Sequence, residues 1–240
     1  MKLHFAPALR VAAIVAGTVL SSQSAFAGLV ASIEAAGVQQ STASNIITET
    51  FNDAALGKFS TLTSDIGTYT ASINSSIILA ADQYGGADGS RYVSVGSQAG
   101  GNGGTMTLSL NGPADYFGMW WSAVDRENHI AFYSGGVVDN AHLVASFSQA
   151  DILALITASG NASAYYGNPN DGYQNSGEPY AYVNFTGATF DTIVFSNSNA
   201  TGFESDNHSI HGVPEPSALL MGGAASVIGL AVARRRRRDA

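Results

Sequence analysis

The chain contains the stretch Gly202-Phe-Glu-Ser-Asp-Asn-His208, which places Glu204, Asp206 and His208 at alternate positions. Alternate residues of an extended strand point to one side, so all three side chains are expected on one face. Two carboxylates and an imidazole arranged this way form a donor set for a cation. Oxygen donors favour Ca²⁺, and His208 leaves Zn²⁺ or Mn²⁺ open. The competing reading is a hydrogen-bonded corner in which Glu204 and Asp206 satisfy backbone amides.

A second polar stretch, YYGNPNDGYQNSGE, runs from Tyr165 to Glu178. Tyr165, Tyr166 and Tyr173 offer aromatic faces for sugar rings, and Asn168 and Glu178 offer polar contacts. The plainer reading is an ordered loop whose tyrosines pack on a sheet. Trp120 and Trp121 are adjacent, so on a strand they face opposite ways, one toward the core and the other as a candidate exposed platform. Glu178 and Glu204 form a possible acid and base pair for glycoside hydrolysis, which depends on their separation. The chain has no G-x-S-x-G elbow, nucleotide-binding glycine loop or EF-hand loop. No catalytic residue is assigned, and the expected protein is not an enzyme.

These residues must be positioned by strands. Tyr92–Val95 and Met106–Leu110 alternate apolar and polar side chains, the period of a half-buried strand. Further strands are expected at 76–80, 116–124, 129–133, 143–147, 180–185 and 190–195. Glycine-rich turns and Asn111-Gly112-Pro113 separate them. Ser148 is placed to cap one short helix over Gln149–Thr157, with Ile152, Leu155 and Ile156 on one face. Residues 31–47 read as a short helix or a leader without fixed structure. The expected architecture is mostly β, an antiparallel β-sandwich or jelly roll of lectin-like type.

Composition narrows the functions. Residues 28–213 carry Lys58, Arg91 and Arg126 against sixteen Asp and Glu, a balance of −13. Such a body repels nucleic acid and tolerates cations. The absence of cysteine removes disulfides, thiolate zinc sites and cysteine nucleophiles. Ten Tyr, eleven Phe and two Trp supply the bulk of a packed core.

The two ends read as addresses. Residues 1–27 form a secretory signal, with Lys2 and Arg10, a short apolar run and Ala25-Phe26-Ala27 at the cleavage site. At the other end, Pro214, Glu215 and Pro216 precede an uncharged run over 217–233. As a helix that run is about 25 Å long, enough for a short transmembrane span. Arg234, Arg235, Arg236, Arg237 and Arg238 follow as a stop-transfer cluster that stays cytoplasmic.

This order of motif, span and arginines over 214–238 resembles the PEP-CTERM sorting signal. The resemblance implies recognition of Pro214-Glu215-Pro216 by an exosortase, a membrane cysteine transpeptidase of Gram-negative bacteria. It also implies transient anchoring in the inner membrane before release to the cell surface or exopolysaccharide matrix. Asp82-Gln-Tyr-Gly-Gly-Ala87, Tyr116-Phe-Gly-Met-Trp-Trp-Ser122, Tyr165-Tyr-Gly-Asn-Pro-Asn170, Gly177-Glu-Pro-Tyr-Ala-Tyr-Val-Asn-Phe185 and Gly202–His208 resemble, in order, blocks of an exosortase-dependent surface protein family with a cyanobacterial founding member. The expected function is thus an exported surface or matrix protein associated with exopolysaccharide, with Ca²⁺ as its candidate cofactor. A lectin-like carbohydrate-binding module and a secreted glycan hydrolase are the alternatives.

Overall fold

A computed structural model describes residues 28–170 and 177–212. The signal segment, Tyr173, the sorting motif, the expected span and the arginine cluster lie outside them. Among the described residues, no helix is long and apolar enough to cross a membrane.

The described chain is mostly β and its strands pair antiparallel throughout in one open sheet. β1 (Val30–Ile33), β2 (Ile47–Glu49), β3 (Gly57–Lys58), β4 (Thr61–Thr63), β5 (Gly67–Ala71), β6 (Ser76–Leu79) and β7 (Tyr92–Gly96) are short. β8 (Gly104–Ser122), β11 (Ala181–Asn197) and β12 (Gly202–Gly212) are long and central. Between them come β9 (Asn128–Tyr133), β10 (Leu143–Ser148) and one helix, α1 (Gln149–Ala158).

β8 and β11 each join two strands that turn signals had separated. β11 follows β8 from Ala181↔Trp121 to Asn197↔Gly104. Asn111, Gly112 and Pro113 form an exposed bend inside β8 instead of ending it. Below the bend β8 lies between β5 and β11; above it, between β12 and β11. None of these three residues is a register partner of β5, β11 or β12. Proline, which lacks a ladder donor, is therefore tolerated there.

The N-terminal expectation is corrected. Residues 30–33 form neither helix nor loose leader, because β1 adds to β11 with Val30↔Thr186 through Ile33↔Val183. The helix expectation holds. Ser148 and Asp151 form a reciprocal capping box, and Ile152 and Ile156 are buried with Leu155 packed against the core.

Aromatic residues fill the interior. Phe117 on β8 meets Phe132 of β9, Phe195 and Phe185 of β11, and His208 of β12 at centroid distances of 5.4–6.2 Å. A second, smaller cluster of Trp120, Ala87, Ala123, Tyr180 and Tyr182 occupies the other face of the central strands. Phe117→Ala should cost roughly 3–5 kcal/mol by removing this fully buried ring. Ile73→Ala, at 93% exposure, should change stability by less than about 0.5 kcal/mol. Urea unfolding of the two variants checks both values.

Candidate functional site

The three expected ligands on β12 do not share a face. Asn207 adopts a left-handed φ of 48°, and the register with β8 slips between Asp206↔Trp120 and Ser209↔Gly118. This bulge leaves Glu204 and Asp206 on one side and sends His208 to the other. His208 lies in the aromatic core, with Nδ1 at 3.0 Å from the Tyr69 hydroxyl and Nε2 at 2.9 Å from Ser205 Oγ. Its ring stacks on Phe195 at 5.1 Å. Burial lowers its pKa to about 3, so it is a neutral core residue. Among the described residues, no group of three His, Asp or Glu side chains is placed to hold a metal ion. The single-face ligand set for Ca²⁺ is corrected accordingly.

Asp206 instead fastens the covering segment 87–90 to the sheet. Its carboxyl group accepts the Ala87 amide at 2.9 Å, the Asn207 amide at 2.6 Å and the Ser90 hydroxyl. The corner reading of Asp206, with its carboxylate satisfying backbone amides, describes this arrangement. Burial still pushes its pKa up to about 7, against these three donors.

Glu204 occupies the floor of a pocket of about 250 Å³, shared with Asp125, Glu178, Gln98, Tyr84 and Thr201. Ser94 of β7 donates to its Oε1 at 3.0 Å. Ser94 and Ser122 are its cross-strand neighbours on either side. The Glu204 carboxyl group folds over Gly202, where a Cβ would fall 1.7 Å from Oε1. A side chain at 202 would therefore displace the Glu204 carboxyl group from this position. Burial, and then the charges of Asp125 and Glu178, hold the Glu204 pKa well above its ordinary range. Asp125 is also raised, chiefly by burial. The pocket therefore gathers three carboxyl groups, of which burial shifts Glu204 and Asp125 toward their protonated forms.

Most of the expected sugar-binding surface is structural. Trp120 and Trp121 do face opposite ways, but both are buried, at 1% and 0% exposure. Trp121 stacks on Phe203 at 4.6 Å, and Trp120 lies against Tyr180 under the covering segments. A platform needs an open outer face, and residues 82–90, 165–170 and 177–180 close it. Tyr165 is buried and donates to the Glu34 carbonyl. Asn168 is buried and donates to the Asp82 carbonyl at 3.1 Å. Tyr166 remains exposed. Among the described residues of that set, only Glu178 joins the acidic pocket.

Sequence reading missed Asp125, Ser94 and Gly202. Asp125 carried a signal, as the first residue of the charged turn Asp125-Arg-Glu-Asn-His129, but only the fold brings that turn beside β12. Comparison with protein families, curated proteins and solved structures finds no match to this chain.

The pKa directions give a pH dependence. The folded state of Asp206 binds its proton more tightly than the unfolded chain, so this contribution is present below pH 3.8 and is lost as pH rises through about 7. Glu204 acts in the same direction. His208 opposes them, with stability lost as pH falls from 6.5 toward about 3. The melting temperature should therefore pass through a maximum in mildly acidic solution. Asp206→Asn should flatten its alkaline slope, as followed by circular dichroism across pH.

Proposed function

We propose that the protein is an exported cell-surface or extracellular-matrix protein, sorted by an exosortase through Pro214-Glu215-Pro216 and associated with exopolysaccharide. The observation that carries this reading is the order of the tail: proline-flanked glutamate, uncharged run, then five arginines. Under it, the body is exported by the N-terminal signal and held by the 217–233 span. The arginines stay cytoplasmic until the tail is processed. Leu29 is already buried in the core, and β12 ends at Gly212, two residues before the motif.

The body itself is proposed to be a β-sandwich or jelly roll. The bend shared by β8 and β11, with Phe117 meeting Phe132 and Phe195, supports a sheet folded into two facing layers. An acidic surface without cysteine suits a matrix setting in which solubility and cation tolerance matter more than redox protection.

A second reading is favoured by one observation, the joint placement of Glu178 and Glu204 in the acidic pocket. In it, the pocket is a glycan-directed acid and base site, with Glu204 as the protonated partner.

Replacing Pro214, Glu215 and Pro216 by alanine in an exosortase-bearing host should block tail processing and retain the protein in the inner membrane. Fractionation and intact-mass measurement test this, and unchanged processing counts against the sorting role. For the second reading, exopolysaccharide turnover that vanishes in Glu204→Gln is the expected result. No turnover by the unsubstituted protein rejects it.

A further inference from the structure

At one level of the sheet, β8 loses register with both of its neighbours. Toward β12, His211 pairs with Tyr116 and Gly212 with Ala114, which leaves Asp115 as an extra residue in β8. Toward β11, Thr186 pairs with Tyr116 and Phe190 with Ala114. Residues 187–189 consequently have no ladder partner in β8, and none in β1 or β9. Bulges of this kind re-aim side chains and free backbone amides at binding sites.

The bulge at Asp115 brings its carboxylate to His211, with Oδ1 at 3.2 Å from Nδ1 and both side chains about half exposed, at 50% and 44%. A groove of about 660 Å³ opens beside this pair. Asp115 and His211 line it together with the bulged residues 187–189 of β11, Thr186 and Ser44. Tyr116 forms part of its wall and is fixed in place. Its hydroxyl donates to Asn184 Oδ1 at 2.6 Å and lies 2.6 Å from Ser41 Oγ. Ala43 and Ala188 add small apolar contacts. The size falls within the range of ligand sites, roughly 300–1,000 Å³.

We propose that this groove binds a neutral oligosaccharide, with the Asp115–His211 pair as its hydroxyl-recognising element. A carboxylate accepts two neighbouring sugar hydroxyls, and the engagement of Nδ1 by Asp115 leaves His211 Nε2 for a third. The hydroxyl-bearing residues Ser44, Thr186 and Thr189 extend this polar lining. The alanines suit the C–H face of a ring. The body's charge of −13 selects against polyuronates. This inference rests on the surface-and-matrix reading and supplies its glycan contact. It also moves that contact away from the buried tryptophans.

The test is isothermal titration of the full-length chain, held in a sugar-free detergent, with isomaltohexaose, laminarihexaose, mannohexaose and a mannuronate hexamer. At least one neutral probe should bind and the mannuronate should not. Asp115→Asn and His211→Gln should each weaken that binding by roughly tenfold or more. Asp139→Asn should leave it unchanged, because it removes the similar Asp139–His142 pair, at 2.7 Å, which lies outside the groove. If Asp115→Asn fails to fold, Thr189→Trp, which fills the groove from an exposed position on the bulged part of β11, takes its place and should abolish binding. Failure of every neutral probe to bind, equal binding of the mannuronate, or binding that survives these substitutions overturns the proposal. Protease shaving of intact cells tests surface location separately. A surface-located chain that binds none of these probes defeats this inference alone.

Discussion

The pairing of β8 with β11 is the constraint on which the rest depends. Thirteen positions of β8, from Gly104 to Trp121, fall within a single antiparallel partnership that is interrupted only around the bend. Each half of β8 also recruits a different third strand, β5 below and β12 above. This arrangement lets Phe117 reach rings from both halves. The same bend makes a groove, since a strand that turns while its neighbours stay paired must break register on each side. The core and the groove are two consequences of one deformation.

A second consequence concerns polar burial. The outer face of the central strands is covered by segments 82–90, 165–170 and 177–180, so polar side chains on that face become enclosed. Asp206 meets this cost by holding Ala87 and Ser90, and Glu204 meets it through Ser94 and by remaining protonated. Trp120 Nε1 and Ser122 Oγ, on the same face, have no hydrogen-bond partner among the described residues. Buried acids in a chain this acidic favour a mildly acidic medium for maximal stability.

The strand positions were largely legible from alternation, which at Met106–Leu110 records a half-buried face. Tyr92–Val95 is instead a strand buried on both faces, because segment 82–90 covers the side that Ser94 occupies. The helix was legible from its cap, since Ser148 and the spacing of Ile152 and Ile156 need no tertiary information. Asn111-Gly112-Pro113 misled, because turn residues also serve as a bend when a long partner strand continues past them. Glu204, Asp206 and His208 misled for a related reason. Strict alternation assumes an unbroken strand, and the left-handed Asn207 breaks it. The tryptophans could not be placed from sequence, because whether a strand's outer face is open depends on which distant loop covers it. Glu178 and Glu204 do meet in one pocket, although nothing in their spacing of 26 positions fixes that distance.

Amide hydrogen exchange along β8 tests the central claim most directly. One strand shared by both halves of the sheet predicts that amides of 106–110 and 117–121 open with the same free energy. Halves that open independently, with clearly different free energies, would contradict a single continuous β8–β11 pairing.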